Sequence, residues 1–335
     1  MSLKLIQVGL GAHGRGVGSS FVIPSPDFEY AGLVDLDSGV LEGYAAAFHL
    51  SKQILYTDYK QAFRDLNADA VLISAISPVH YQIAKEALKQ NLHVLIEKPF
   101  VLTMEEAREL VQLAADSKLS LMISQNYRYL PTVVTLKETL RSCSLGNLLF
   151  VNAQFFHDHN GKGYQRKMDN YILMEMSVHH VDMMRFLLES DIANVWGKTW
   201  NNPGSGYKGD PHVHAVYGAE NGVSVFYLSS LLAKGIPMPW EGVWRFQFEQ
   251  GSVYLDDLGE GYGVYVVDDS QSKTHIPLLI PEKESIHGVL AEFAQSIREG
   301  REPSISGRDN LNTIEALLAT SASSAEGKEI KIVKQ

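Results

Sequence analysis

Gly9-Leu10-Gly11-Ala12-His13-Gly14 has the spacing G-x-G-x-x-G, and its flanks give that spacing meaning. An apolar run, Leu3–Val8, precedes it and a helical pattern follows. In that setting the first glycine permits a tight turn, the second lets backbone N–H groups approach a pyrophosphate, and the third allows close helix–strand packing. The helix start adds a positive dipole end for the anion. A carboxylate is expected about 20 residues further on, where it accepts from a ribose 2′-hydroxyl and repels a 2′-phosphate. Asp35 ends Gly32-Leu33-Val34-Asp35, and no Arg or Lys lies between it and Lys52. These residues point to NAD rather than NADP, held by Gly9, Gly11, Ala12, His13, Gly14 and Asp35. Lys98, just past the apolar run of residues 93–96, lies where strand ends face a ligand crevice in an open α/β sheet. It reads either as a contact to a substrate hydroxyl or cofactor, or as an ordinary lysine in a strand–helix loop.

The elements that must position these groups follow two grammars. Through about residue 125, short apolar strands (Leu3–Val8, 30–34, Ala70–Ile73, 93–96, 119–123) alternate with amphipathic helices (38–48, 81–90, 103–117). Asp58 with Gln61, and Thr103 with Glu106, read as capping boxes. Such alternation implies a doubly wound parallel sheet covered on both faces. Beyond residue 131 strands dominate: 146–156, 213–217, 223–228, 244–249, 252–256 and 261–267, with hairpin turns at Glu220-Asn221-Gly222 and Gln250-Gly251. Helices are expected at 132–142, 171–189, 286–299 and 310–325. The expected division is residues 1–125 and 126–335, with the last helix free to pack back on the first domain. The fold class is α/β: a doubly wound parallel sheet, then a strand-rich half that also carries helices.

Composition bounds the function. The 335 residues carry 29 Lys and Arg against 39 Asp and Glu, a formal charge of −10, which argues against nucleic acid and anionic membranes as partners. One cysteine, Cys143, excludes an intramolecular disulfide and a cysteine-based zinc site. No apolar window is long enough for a transmembrane helix, and no signal peptide is visible, so a cytoplasmic location is expected. His157-Asp158-His159 and His212-Val213-His214 have spacings compatible with zinc, but the expectation is no metal site, with His157 or His159 lining a substrate pocket instead. Trp240, Trp244, Phe246 and Phe248 read as aromatics on an exposed sheet face, hence a homodimer or homotetramer through that sheet. Met174, Met176, Met183 and Met184 read as core filler.

Over nearly its whole length the chain resembles the glucose–fructose oxidoreductase, inositol dehydrogenase and MocA family. The resemblance rests on Gly9/Gly11/Gly14, Ser77-Pro78-Val79-His80, Glu97-Lys98-Pro99, Asn126-Tyr127-Arg128-Tyr129, residues 175–182 and the small-residue tail 319–331. It implies an N-terminal Rossmann domain and a C-terminal α+β domain with a large open mixed sheet, NAD(P)-dependent oxidation or reduction of a sugar or polyol, and a cis bond before Pro99. Cofactor contacts are expected at Ser77, His80, Glu97 and Lys98, and substrate contacts at Asn126, Arg128, Tyr129, His157 and His180. The segment 126–129 reads equally well as inter-domain packing. The family pattern D-x-G-x-H-x-x-D falls on Glu175, Ser177, His179 and Asp182. It assigns catalysis to Lys98, His179 and Glu175, with His180 as the second choice for the base. On a regular helix Glu175 and His179 share one face, and a carboxylate beside an imidazole orients it for general-base work. Glu175 and Ser177 depart from the family's Asp and Gly, so the pocket must differ from its relatives'. Two other activities stay open: a glycoside hydrolase using tightly held NAD for transient oxidation and elimination, and a non-catalytic NAD-binding sensor.

Overall fold

The computed structural model describes residues 2–159 and 161–332. The chain divides into two compact units, residues 1–126 with 283–314, and 127–282 with 315–335. Residues 283–314 therefore group with the first unit, where the sequence pattern keeps them in the second.

The first unit is built on β1 (Leu3–Val8), β2 (Phe28–Val34), β3 (Leu55–Tyr56), β4 (Ala70–Ile73), β5 (His93–Glu97) and β6 (Leu121–Ser124). All pair in parallel, in the order β3-β2-β1-β4-β5-β6. The order reverses between β1 and β4, and ligands of such sheets bind beyond the strand C-termini at that point. Gly9, Ser74 and Glu97 all stand at this edge. The strands read as uninterrupted apolar runs because both faces are covered; Leu5, Ile6, Val71 and Ile73 are wholly buried. The helices are α1 (Ala12–Val17), α2 (Ser38–Ala47), α3 (Tyr59–Asp65), α4 (His80–Lys89) and α5 (Met104–Ser117). Asp37 caps α2 by accepting from the N–H groups of Gly39 and Val40. At Asp58 the expected box reduces to a simple cap: its carboxylate takes the Lys60 N–H, while the Gln61 amide turns to Asp65.

The second unit holds β7 (Leu148–Phe156), β8 (Ile192–Trp200), β9 (His212–Ala219), β10 (Ser224–Ser230), β11 (Val243–Phe248), β12 (Gly251–Asp257), β13 (Tyr262–Asp268), β14 (Lys273–Ile276) and β15 (Ile330–Lys331). They form one nine-stranded sheet, β14-β13-β12-β11-β7-β10-β9-β8-β15, antiparallel except for the β7–β10 pair. Its helices are α6 (Pro131–Ser142) and α7 (Val178–Leu188). Back in the first unit, α8 (Ser285–Glu299) buries Phe293, which stacks on Phe28 at 6.2 Å. The last helix, α9 (Gly307–Glu326), contributes its first residues to the first unit and the rest to the second.

The aromatic face of the large sheet is not the expected one. Trp244, Phe246 and Phe248 are 2%, 1% and 6% exposed and lie in the core with α6 and α7. Period-two alternation puts the three on one side of β11 but does not say which side the helices cover. Aromatics open to solvent on the sheet come instead from β8 and β10, where Trp196 and Phe226 are each 44% exposed. Met174, Met176, Met183 and Met184 are core residues, as their spacing suggests.

Candidate functional site

The glycine loop is shaped by what a side chain would strike. Gly9 has φ +97°, and a Cβ there would come within 2.5 Å of the Ala75 nitrogen. A Cβ on Gly14 would come within 2.2 Å of the Gly9 carbonyl, so the third glycine is dictated by packing. A Cβ on Gly11 would meet nothing within 4 Å: the loop leaves open space at the glycine that a pyrophosphate must approach. A buried network that sequence reasoning missed fixes this shape. Gln7, wholly buried in β1, donates from Nε2 to the Gly14 carbonyl (2.7 Å) and to Ser74 Oγ (3.0 Å), and Ser74 donates to the Gly9 carbonyl (2.8 Å). The signal was available, since a glutamine in an apolar strand beside a glycine turn needs partners. Asp35 is the third tether: Oδ2 accepts the Leu10 N–H at 2.6 Å and Oδ1 the Asp37 N–H at 3.0 Å.

Ser77, 4% exposed, carries a buried hydroxyl with no hydrogen-bond partner. An orphaned donor beyond β4, together with the opening at Gly11, fits a bound dinucleotide. His80 links two loops at this edge of the sheet. It is 1% exposed, with Nδ1 2.9 Å from the Pro99 carbonyl and Nε2 2.9 Å from the Ala75 carbonyl. Burial pushes its pKa below the ordinary imidazole range. It joins the segment after β4 to the segment after β5.

Glu97, Lys98 and Pro99 follow from β5, and the Lys98–Pro99 bond is cis. Lys98 is half-buried. Glu97 is 6% exposed, and burial alone would raise its pKa. The hydrogen bond and charge of His13, with Lys98 and the Ser124 hydroxyl, outweigh burial and hold the carboxyl below its usual range.

In the second unit, a wide π turn over Leu173–Ser177 feeds α7. A π turn inserts a residue, so the simple i, i+4 face shared by Glu175 and His179 does not carry over. The Glu175 carboxylate accepts from Gln165 Nε2 at 2.9 Å. His179 is 5% exposed and its ring stacks on Tyr127 at 4.2 Å and 11°. Asp182, expected beside the imidazole, is gripped by Arg128 through Nε (2.7 Å) and Nη2 (2.6 Å). Arg128 also lies over the Phe186 ring. His180 is buried in the core: Nδ1 meets the Tyr227 hydroxyl at 2.8 Å and Nε2 the Trp240 carbonyl at 3.0 Å. Burial pushes its pKa down to about 4.

Asn126 donates to Ser285 Oγ at 3.0 Å within the first unit, whereas Tyr129 is half-buried in the second. His157 stacks on Trp240 at 4.3 Å, and its Nδ1 is buried without a partner. The second unit thus brings Tyr127, Arg128, His179 and Asp182 together, with His157 and Trp240 reached through His180.

Two family matches cover most of the chain. Residues 3–125 match the Gfo/Idh/MocA oxidoreductase family with the NAD-binding Rossmann fold, and residues 133–254 match the Gfo/Idh/MocA C-terminal domain. D-apiose dehydrogenase of Paraburkholderia graminis is 24% identical over 91% of this chain and 83% of its own length. The inositol 2-dehydrogenase/D-chiro-inositol 3-dehydrogenase of Lacticaseibacillus casei is 25% identical over 58% of this chain and 56% of its own length. An oxidoreductase from Agrobacterium radiobacter, solved with NAD+, L-tartaric acid and magnesium, has the same fold with a TM-score of 0.87 at 22% identity, covering 99% of this chain and 98% of that one.

Proposed function

The chain belongs to the Gfo/Idh/MocA family of NAD-binding oxidoreductases, and from that premise we propose that it is an NAD-dependent dehydrogenase acting on a secondary hydroxyl or ketone of a sugar, cyclitol or polyol. The substrate class is supported by the relatives named for apiose and inositol oxidation. The observation that carries the reading is the edge of the parallel sheet. There the opening at Gly11, the orphaned Ser77 hydroxyl and the Glu97–Lys98 pair all follow strand C-termini of one unit.

Bound NAD supplies the hydride-accepting nicotinamide, which is the cofactor's own chemistry. The glycine loop holds the pyrophosphate through backbone N–H groups. Asp35 accepts from the ribose 2′-hydroxyl, and its charge disfavours a 2′-phosphate. Lys98 donates to the reacting oxygen and stabilises the charge that develops there. His179 takes the hydroxyl proton on oxidation and returns it on reduction. Tyr127 fixes the ring plane by stacking, and Arg128 holds Asp182 one turn along the same helix. Glu175 and His157 are assigned to substrate hydroxyls.

Among the described residues no helix is long and apolar enough to cross a membrane. The reading includes a cytoplasmic setting, which a lone unpaired Cys143 suits. It also includes a second copy of the chain on the open sheet face, around Trp196 and Phe226. The test is absorbance at the NADH band with NAD and a panel of sugars, cyclitols and polyols. Substrate-dependent NADH formation is expected; free sugar released from glycosides without net NADH would replace this reading by a hydrolytic one.

A further inference from the structure

The loop assigned to the cofactor carries a titratable side chain with its own counter-charge. His13 is the fifth residue of the glycine fingerprint, and its side chain is 60% exposed. Its Nε2 lies 3.4 Å from Oε2 of Glu97, whose side chain is only 8% exposed. The imidazole therefore meets a fixed carboxylate on one side and solvent on another.

Other ionisable groups stand on the neighbouring elements. Lys98 acts on Glu97 from the segment after β5, the Ser124 hydroxyl bonds it from the end of β6, and the buried His80 of α4 feels its charge. Arg15 follows two residues along α1, and Asp35 takes the Leu10 N–H.

A buried carboxylate is a poor neighbour for an incoming diphosphate. With His13 neutral, part of the Glu97 charge faces the anion; with His13 protonated, that charge is cancelled and the imidazolium attracts the anion. We propose that His13 is a proton-linked phosphate-recognition residue: NAD binding draws a proton onto its imidazole, and Glu97 is the counter-charge that makes this possible. The inference rests on the assignment of the glycine loop to NAD and adds to it a specific side chain and a proton.

The sign follows from linkage. An anion that stabilises the imidazolium raises the bound-state pKa of His13 above its free-state value. Affinity is then greatest at low pH, falls as pH rises from the free-state to the bound-state value, and is level above. One added charge contact at about 4 Å, even in water-like surroundings, corresponds to roughly a fivefold change in Kd. The diphosphate itself does not titrate near neutrality, so the proton must land on the protein.

The test is calorimetric titration of NAD into the full chain at pH about 6, 7 and 8.5, bracketing the ordinary histidine range. Each titration is repeated in buffers of different ionisation enthalpy, so that proton uptake is read directly. The expected result is net uptake near neutrality and a Kd that rises roughly fivefold across the series. His13→Gln should show neither uptake nor pH dependence, and Glu97→Gln should displace the uptake to lower pH. A flat wild-type Kd without uptake, or an unchanged pH dependence in His13→Gln, overturns the inference and leaves the cofactor assignment standing. Absence of NAD binding at every pH overturns the cofactor assignment, and the inference with it.

Discussion

Arg128 holds Asp182 with two hydrogen bonds, of 2.7 and 2.6 Å, one helical turn beyond His179. Asp182 is 1% exposed, and a buried carboxylate is tolerable only when it is paired. The pair ties the segment that opens the second unit to the helix carrying the proposed base. Arg128→Met should therefore cost about 3 kcal/mol of unfolding free energy by removing the bidentate partner of the Asp182 charge. Arg185, with a nitrogen 3.9 Å from the same carboxylate, offsets part of that. The double variant Arg128→Met with Asp182→Leu should regain most of the loss, since a buried ion pair replaced as a unit is often neutral. Urea unfolding reads both; a double variant as unstable as the single would show that charge is not the cause.

His180 makes stability fall on acidification. Its folded pKa is about 4, against an ordinary value of about 6.5, because burial disfavours the imidazolium. Between those values the unfolded chain binds a proton that the folded chain does not, so stability rises with pH there. The contribution is fully present above pH about 6.5 and is lost as pH falls toward 4, to an extent of about 3 kcal/mol. His180→Gln can keep a donor for the Trp240 carbonyl and removes the titration. Its unfolding free energy should fall less steeply than the wild type's over this window; parallel profiles would remove His180 from the account.

The parallel sheet was legible because covered strands are uninterrupted apolar runs and because a glycine turn between strand and helix has few other uses. What escaped has physical reasons. β3 is only two residues long. β8 mixes buried Val195 and Gly197 with exposed Trp196 and Lys198, which weakens its apolar signal. The Arg128–Asp182 pair joins residues 54 apart, and nothing local announces it. A π turn leaves no periodicity to read in five residues, so the geometry around Glu175 could not be anticipated. His180 and His179 are adjacent, and only packing shows that one is satisfied in the core while the other stacks on Tyr127.

Asp35 has two duties that substitution can separate. Its carboxylate accepts the Leu10 N–H, and its charge is proposed to exclude a 2′-phosphate. Asp35→Asn can keep the acceptor and removes the charge, whereas Asp35→Ala removes both. The Asn variant should narrow the preference for NAD over NADP by about fivefold, on the scale of one lost charge contact. The Ala variant should narrow it similarly and weaken NAD binding as well. Titration of both cofactors into each variant measures this, and an unchanged preference in both would count against the 2′-hydroxyl role.

Lys98 and His179 are proposed to act in the chemical step. Lys98→Ala should lower kcat by about 10²- to 10³-fold, the scale of a lost oxyanion donor. His179→Ala should lower it by about 10²- to 10⁴-fold, the scale of a lost general base. NAD should still bind the His179 variant with wild-type affinity, because the proposal gives His179 the hydroxyl proton and no contact to the cofactor. Wild-type turnover in either variant on the best substrate would show that the roles are misplaced.

The open face of the large sheet predicts self-association. Trp196 and Phe226 are each 44% exposed there, and Phe150 packs edge-on against Phe226 at 5.9 Å. Exposed aromatics clustered on one sheet face mark an interaction site more often than idle surface. Trp196→Glu combined with Phe226→Glu puts two charges on that face without touching the buried alternates of β8 and β10. Light scattering after size exclusion should show a dimer or tetramer for the wild type and a smaller species for the variant, with the thermal midpoint of the monomer unit little changed. A wild-type chain that runs as a monomer at micromolar concentration would leave this face to some other partner.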